Sequence, residues 1–444
     1  MQANWIAQTW RPASSGHVFR PPAANGGELE HPRSAAADAS AALEALVAHE
    51  TAWRARTEQE RRGLLVRVAE CIAREPDPGA AFERAEDELV GSVREGPRAV
   101  LGAAFGSRPG IVVVRCDWSE LVTGVAREVL AALALGRGVL LLSDPGAPMV
   151  AEAVASAFAV IRAPAPLALL HEDGSAVLQH VLRDPRVRGL VVSAPSARMR
   201  ELERWLNDAH RSAAATSAFG AGLDEQPVPE RSLRVLRNHS RIVGRACDLE
   251  TEAREVVAAA FGRARALSGQ APGAVGRVLC HERALSRFTA SLLAELARSP
   301  DVARPLATLD PALHLHHRRA VELGLDEGAT PIFTSADQSS EAPPEAHRLA
   351  PVVFTNVEEH LRLAWLGRPA PLLCLLRFDD DARAEELASA LDRDPLAEDL
   401  SGETHGAMDG PAVEFAAQAA GWPGPMRGSS DPREDEDEET EQEP

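Results

Sequence analysis

The chain has 444 residues and a formal net charge of −19 at pH 7, with 45% hydrophobic and 25% charged residues. This length favours two or three domains of ordinary globular composition. The acidic excess argues against a nucleic-acid partner, which needs a basic face, and no long stretch is free of charges and turn residues, so we expect no membrane span.

The cysteine pattern and the basic residues indicate the compartment and limit the chemistry. Five cysteines are scattered without a CxxC pair, and the first ten residues lack a basic segment followed by an apolar run, so we expect reduced thiols and a cytoplasmic location. Lysine is absent and all 47 basic residues are arginine, a bias typical of GC-rich bacterial genomes. A Schiff base and a lysine–phosphate contact are therefore excluded.

Short apolar runs alternate with amphipathic stretches from residue 110 onward. The predicted strands are 110–116, 138–143, 165–172 and 188–194, and the predicted helices are 119–136, 147–159, 176–184 and 197–211. Apolar strands separated by helices predict a parallel sheet covered on both faces, with right-handed crossovers. We assign residues 1–232 to this first α/β domain.

A second alternating block occupies residues 233–395. Residues 233–243 are predicted to be one strand that crosses between the blocks. Further strands are predicted at 276–282, 350–357 and 370–378, and helices at 249–267, 284–299 and 382–394. The chain is thus predicted to contain two α/β domains of similar size.

The C-terminal region divides into a segment, 396–426, and an acidic tail, 427–444. The last fourteen residues, "DPREDEDEETEQEP", hold nine acidic side chains and one arginine. With no apolar residue to bury, the tail is predicted to be disordered.

The order of these segments resembles the aldehyde dehydrogenase superfamily from about residue 4 to about residue 395. The resemblance rests on four phrases: "NWIAQTWRPASSGHVF" at the start, "AWRARTEQERRGLLVRVAECI" at 52–72 as the first long helix, "RPGIVVVRCDWSELVTGVAREVLAALALGRGVLLLSDPGAP" at 108–148, and "GQAPGAVGRVLCHERALSRF" at 269–288. It implies two Rossmann-type parallel-sheet domains, the first nucleotide-binding-like and the second catalytic-like. Residues 73–108 are shorter than in that family, and its final strand has no counterpart, which predicts reduced oligomerisation elements.

The resemblance places a proline at the family's nucleophile. The family pattern is Gly-Gln, any residue, Cys, with an arginine five residues later, and Gly269, Gln270 and Arg277 fit this frame. Position 272, where the thiolate should be, is Pro272. Proline has no nucleophilic side chain and no backbone N–H, so this position loses both the attacking group and one oxyanion donor.

The other catalytic positions are also altered. The oxyanion asparagine of a Pro-Trp-Asn turn corresponds to Ser119, after Asp117 and Trp118. The base glutamate corresponds to Arg234, and an arginine stays protonated near neutral pH, so it cannot act as a general base.

The cofactor positions are changed in the same way. The family lysine that holds the adenine ribose corresponds to Leu142, and the glycine turn that admits the pyrophosphate corresponds to Ala194 and Met199. The glutamate that contacts the nicotinamide ribose corresponds to Gly367. We therefore expect no NAD(P) cofactor, unless the chain is an active enzyme after all.

Two other cysteines could replace the missing nucleophile, and a histidine pair could bind a metal. Cys116 is the better candidate because it precedes Trp118, whereas Cys280 is interpreted as a buried strand residue. His314 and His317 share a helical face, but no third ligand is near in sequence, so we predict exposed histidines and no metal site.

These observations lead to three hypotheses. The first is a catalytically degenerate member, a pseudoenzyme that serves as a structural or regulatory subunit beside an active homologue or a second copy of itself. The second is an active NAD(P)-dependent aldehyde oxidoreductase with a non-standard nucleophile. The third is a small-molecule binder that uses the old cleft without turnover.

Overall fold

The computed structural model describes residues 3–20, 30–74, 108–172, 176–195, 198–200, 202–204, 206–207, 229–262, 269–303, 306–307, 311–335 and 348–393, with residues 89, 93, 100, 101 and 105. The predicted C-terminal segment 396–426, the acidic tail 427–444 and most of 73–108 lie outside these residues. So do residues 208–228, and most of residues 335–349, whose Ser, Pro and Glu content predicts a surface loop.

The first domain is built on a seven-stranded sheet with the order β2-β1-β7-β6-β5-β8-β9. Its strands are Asn4–Ile6 (β1), Thr9–Arg11 (β2), Ile111–Cys116 (β5), Gly138–Ser143 (β6), Leu167–His171 (β7), Val187–Ala194 (β8) and Glu230–Val235 (β9). Val18–Phe19 (β3) and His31–Pro32 (β4) form a separate antiparallel pair. The strands from β7 to β9 are parallel, whereas β1 joins β7 antiparallel.

Helices cover both faces of this sheet. They are Ala36–Arg54 (α1), Glu58–Arg74 (α2), Leu121–Ala134 (α3), Pro148–Ile161 (α4) and Ala176–Leu182 (α5), with a single 3₁₀ turn at Trp118–Glu120. Between residues 198 and 207, the described residues are helical.

The helix predicted at 52–72 is in fact two helices. Thr57 and Glu60 form a capping box: the Glu60 carboxylate accepts from the Thr57 N–H at 2.7 Å, and the Glu60 N–H donates to the Thr57 hydroxyl at 3.2 Å. A capping box starts a helix, so the chain turns at residues 55–57 instead of continuing the helix that precedes them.

The buried strands divide the core of the first domain into two layers. Val112 and Val114 face a cluster formed with α2, α3 and α4, while Ile111 and Val113 face a cluster formed with α1 and α5. Strands buried on both faces read as unbroken apolar runs, which is why they could be predicted from the sequence.

The second domain has a five-stranded sheet with the order β10-β11-β16-β15-β13. Its strands are His239–Val243 (β10), Val275–His281 (β11), Thr330–Thr334 (β13), Val352–Val357 (β15) and Leu372–Phe378 (β16), and Leu306–Ala307 (β12) pairs with Arg348–Leu349 (β14). Its helices are Leu249–Phe261 (α6), Glu282–Arg298 (α7), Pro300–Ala303 (α8), Pro311–Asp326 (α9), Arg362–Trp365 (α10) and Asp381–Arg393 (α11). The edge strand β13 is antiparallel and contains Pro331, which an edge tolerates and which hid the strand from sequence analysis.

The strand predicted at 233–243 is two strands that belong to different sheets. β9 completes the first sheet beside β8, and β10 begins the second sheet beside β11. The change of sheet therefore comes at residues 236–238, a few residues after the predicted boundary between 232 and 233.

The predicted fold class is confirmed: two α/β domains, each with a mainly parallel sheet. Among the helices of the described residues, none combines the length and the apolar character needed to cross a membrane.

Candidate functional site

Three successive residues between the two sheets connect the loops that the resemblance marks as functional. Each makes a backbone hydrogen bond to a different loop. The bonds are Leu236 N–H to the Ala194 carbonyl at 3.0 Å, Gly273 N–H to the Arg237 carbonyl at 2.9 Å, and Asn238 N–H to the Gly367 carbonyl at 2.9 Å. The predicted positions Ala194, Pro272 and Gly367 are therefore gathered around one linker between the domains.

Pro272 lies in a tight loop that enters β11. Gly269 has φ +87°, and a Cβ there would lie 2.5 Å from the Cα of Pro371, so only glycine fits. Gly273 has φ +82° and supplies the N–H that binds the linker. Pro272 itself is half-buried between them, and its ring nitrogen has no hydrogen to donate.

The hydroxyl of Ser119, at the expected oxyanion position, is already engaged. It donates to Asp117 Oδ1 at 2.7 Å, and the Ser119 backbone N–H donates to the same oxygen at 3.1 Å. Both residues are buried. The donors that could meet an oxyanion are thus bound to a carboxylate.

Asp117 belongs to a group of two buried carboxylates and one partly exposed guanidinium at the carboxyl ends of β5, β6 and β8. Arg198 Nη1 lies 3.5 Å from Asp117 Oδ2 and 2.9 Å from Asp144 Oδ2, and Asp144 also accepts the Gly146 N–H at 2.7 Å. Burial, followed by the charge of Asp144, raises the pKa of Asp117 to about 6. In a nucleotide-binding fold this edge receives phosphates, and here it carries more negative than positive charge.

Arg234, at the expected base position, is held in a second ion group. Its Nη2 lies 2.7 Å from Glu120 Oε1 and 3.2 Å from Glu128 Oε1, and the two glutamate side chains are only 8% and 3% exposed. Burial raises the pKa of Glu128. The guanidinium therefore neutralises two buried acids and has no proton-accepting capacity.

Cys116 lies beside this second ion group and is a poor nucleophile. It is 4% exposed, and burial, followed by the charges of Glu128 and Glu120, raises the pKa of its thiol far above the usual range. Cys280 is fully buried in the second domain, and burial raises its pKa to about 12. At neutral pH both sulfurs are protonated, and a thiol is much less nucleophilic than a thiolate.

Two of the expected cofactor positions are core residues. Leu142 is 1% exposed and Met199 is 2% exposed, and both belong to the same apolar cluster as Ala194. Each side chain fills space in the core that a cofactor contact would have to leave polar or open.

Trp118 joins the two domains through an apolar cluster. It packs with Ala147 of the first domain and with Leu313, Leu349 and Ala370 of the second. Trp118 is therefore a packing residue of this turn, with apolar contacts from both domains.

The histidines at 314–317 differ from the expectation of an exposed group. His316 and His317 are buried in α9 at 1% and 5% exposure, and burial lowers the pKa of His317 to about 4. The expectation was wrong because α9 lies against the β14 region and buries the face that carries them. Across the described ranges, the group of three metal-ligand side chains that converge is instead His31, Glu152 and His171.

Sequence analysis missed this histidine–glutamate group and the acids around Arg234. Glu120 lies 114 positions from Arg234, and Glu152 lies 121 positions from His31. Neither pair has a local spacing that a motif could reveal, so only the folded chain brings them together.

Comparisons with known proteins agree with the resemblance. Residues 232–392 match the model of the aldehyde dehydrogenase family. No curated protein matches the chain.

Solved structures share the fold over both domains. An NAD-dependent benzaldehyde dehydrogenase from Corynebacterium glutamicum has a TM-score of 0.68 at 20% identity, covering 88% of this chain and 87% of that one. A P. syringae indole-3-acetaldehyde dehydrogenase has a TM-score of 0.70 at 18% identity, covering 87% and 82%. A Thermus thermophilus 1-pyrroline-5-carboxylate dehydrogenase has a TM-score of 0.68 at 18% identity, covering 87% and 78%.

Identities this low establish a common fold and say nothing about substrate. Together with the family match over residues 232–392, they show that this chain has the aldehyde dehydrogenase fold and that its second domain is similar in sequence to that family.

Proposed function

We propose that this chain is a catalytically degenerate member of the superfamily that acts as a structural or regulatory subunit in the cytoplasm. The observation that supports this most strongly is Pro272 in the loop that enters β11. A pyrrolidine ring supplies neither a nucleophile nor an N–H, so two functions of one position are lost together.

The hydrogen bonds around the remaining catalytic positions favour the same interpretation. The Ser119 hydroxyl and N–H both donate to Asp117, and Arg234 bridges Glu120 and Glu128. To regain a base and an oxyanion hole, the chain would have to break buried ion pairs as well as change single side chains.

The residues present do not fit NAD(P). Met199 occupies core volume at the pyrophosphate turn, and Arg198 is already paired with Asp117 and Asp144. A dinucleotide phosphate placed there would meet two carboxylates for one guanidinium, which is an unfavourable electrostatic environment. We therefore derive no hydride-transfer step for this protein.

A partner role is favoured by an exposed edge. β2 is an edge strand whose three residues are all exposed, and Trp10 on it is 40% exposed. An open strand edge can pair with another chain, and an exposed tryptophan can add apolar contact area. The partner would be an active aldehyde dehydrogenase homologue or a second copy of this chain. All five cysteines are free thiols, in keeping with a cytoplasmic location.

Calorimetric titration of the purified chain with NAD and with NADP tests the loss of catalysis. We expect no saturable binding at concentrations up to the order of 1 mM, the upper range of typical Michaelis constants, and no reduced nicotinamide after incubation with a panel of aldehydes. An active aldehyde dehydrogenase under the same conditions serves as the positive control. Hydride capture by this chain that disappears in Cys116→Ser would overturn the proposal in favour of an active enzyme with a displaced nucleophile. Saturable NAD(P) binding without turnover would overturn it in favour of a binder.

Co-expression with an active homologue from the same source tests the partner role. We expect a complex that survives size exclusion and that is weakened by Trp10→Glu. Val160→Glu is the matched control, since Val160 is 66% exposed on α4, away from the strand edge. A monomer with no bound homologue would contradict the partner role without affecting the loss of catalysis.

A further inference from the structure

Two histidines and one glutamate converge in the first domain, apart from the residues discussed above. His31 belongs to β4, His171 ends β7, and Glu152 lies in the second turn of α4. His31 Nδ1 lies 3.0 Å from Glu152 Oε1, and His171 Nε2 lies 3.3 Å from the same oxygen. One ligand atom from each residue falls within 4.8 Å of the other two.

These separations are close to those of ligands around one small cation. Zinc binds imidazole nitrogen and carboxylate oxygen at about 2.0–2.2 Å in a tetrahedron, which places neighbouring ligand atoms roughly 3.3 Å apart. The two measured nitrogen–oxygen distances fall at or just under that value. For these two pairs, a nitrogen–oxygen separation of roughly 3.3 Å requires changes of only a few tenths of an ångström.

The surroundings of His171 resemble an outer ligand shell. Its other ring nitrogen, Nδ1, lies 3.0 Å from the Ser143 hydroxyl oxygen. A metal-binding histidine ordinarily donates its second N–H to an oxygen, which fixes the tautomer and turns the free lone pair toward the metal. With Nδ1 bonded to Ser143, Nε2 faces Glu152. In this orientation a neutral imidazole can lend its Nε2 lone pair to a cation.

The group is buried and incompletely satisfied by the protein. The side chains of His31 and His171 are 0% exposed, and Glu152 is 16% exposed. The Nε2 atoms of both rings are buried without a hydrogen bond of good geometry, although the Ala3 carbonyl approaches His171. Buried polar atoms normally have partners, and a cation bound at Nε2 of His171 would supply one for that atom.

A metal-free arrangement is the competing explanation. Both imidazoles would donate to the one carboxylate, which balances the charge of Glu152 only in part. Nε2 of His31 has no partner in either arrangement, because it is Nδ1 of His31 that faces Glu152. A divalent cation instead uses the lone pairs of both rings and neutralises the carboxylate. We propose that His31, Glu152 and His171 form a binding site for a divalent transition metal of the zinc type.

The position of the site indicates a structural role. β3 and β4 form a separate hairpin, and His31 on β4 meets the main sheet at His171 and the helix α4 at Glu152. A metal here would fasten the N-terminal hairpin to the first domain. Since a metal bound only by the folded state stabilises that state, its binding free energy adds to the stability of the domain.

Metal titration of the full chain after treatment with a chelator tests the site. We expect one Zn²⁺ or Co²⁺ per chain, visible d–d absorption of bound Co²⁺ with nitrogen and oxygen ligands, and a rise in melting temperature. Glu152→Gln keeps the size of the side chain and removes the charge. We expect it to weaken metal binding by about a hundredfold, by analogy with the losses seen when metal-site partners are removed. His31→Gln should do the same.

His360→Gln and Glu358→Gln are the matched controls, because they form an exposed His–Glu pair at 3.3 Å. They should leave metal binding unchanged. The proposal would be overturned if the wild-type chain bound neither metal stoichiometrically. It would also be overturned if Glu152→Gln bound metal as tightly as the wild type. The Co²⁺ spectrum of the wild type decides the question even if a variant fails to fold. Because the site is separate from the linker between the domains, its failure would not affect the proposed loss of catalysis.

Discussion

Two polar groups at the carboxyl edge of the first sheet differ in how far the protein satisfies them. Around Asp117, Asp144 and Arg198, every carboxylate faces a guanidinium or an N–H group of the chain itself. Around His31 and His171, ring nitrogens are buried without a well-formed hydrogen bond. The first group is paired internally, whereas the second brings three side chains of metal-ligand type within 4.8 Å of one another.

The contrast bears on the proposed loss of catalysis. A side chain that is merely absent leaves a cavity or an unpaired atom, which a ligand could still use. Here Ser119 donates to the buried carboxylate of Asp117, and Arg234 pairs with the buried carboxylates of Glu120 and Glu128. These contacts stabilise the domain, because breaking one of them would leave a buried carboxylate without its partner.

The largest effect should come from Arg234→Met. Removing the guanidinium leaves Glu120 buried without this partner and leaves Glu128 with Arg127, whose Nη2 lies 3.4 Å from Glu128 Oε1. We therefore expect the free energy of unfolding to fall by about 3 kcal/mol in chemical denaturation. Glu128 has a raised pKa, so the folded state holds its proton more tightly than the unfolded state does. The deficit should therefore shrink as the pH is lowered toward 5 and grow as it rises.

The double variant Arg234→Met with Glu128→Gln is the control, and it should recover part of the loss. If Arg234→Met were as stable as the wild type, the ion group would not be the structural element described here, and the contrast between the two groups would weaken.

Met199→Ala should have the next largest effect. Met199 is 2% exposed within a core cluster, so truncation should cost about 2–4 kcal/mol without creating an affinity for NAD. Met149, which is 41% exposed, offers a matched control, and Met149→Ala should change the stability by less than about 0.5 kcal/mol. Equal losses of stability in the two variants would contradict the core position of Met199. New NAD binding by Met199→Ala would show that the pyrophosphate turn is still a usable site.

The third expected effect is a change in the pH dependence of stability in Asp117→Asn. The pKa of Asp117 is raised to about 6, so its contribution to stability is present below its unfolded value near 3.8 and is lost as the pH rises through 6. The wild type should therefore lose up to about 3 kcal/mol between pH 4 and pH 7 from this group. Asp117→Asn should flatten that part of the curve in denaturation experiments, and identical slopes for both proteins would contradict the assignment.

Much of the fold could be predicted because its strands are buried on both faces. The run "GVLLLS" at Gly138–Ser143 has no polar interruption, and the predicted strand has the bounds of β6. Elements that depend on tertiary contacts were harder to predict. The short edge strand β13 contains a proline, and β9 and β10 follow one another so closely that they read as one strand.

At the candidate site too, the residue types could be predicted from the sequence, whereas the contacts between distant residues could not. Substitutions such as proline at 272 or arginine at 234 can be read directly, because their chemistry does not depend on their surroundings. The partners that hold Arg234, and the carboxylate that raises the pKa of Asp117, come from residues far away in the chain. Charge, burial and distance act through space, so no spacing in the sequence encodes them.

The sequence alone determined the two-domain α/β architecture and the absence of a nucleophile at 272, since both follow from residue type and local pattern. The tertiary structure decided which side chains meet: a guanidinium between two glutamates, a methionine in the core, and a His–Glu–His group in which His31 lies more than a hundred residues from the other two. These depend on which side chains meet after folding, and their energies depend on the low dielectric of the interior in which they meet.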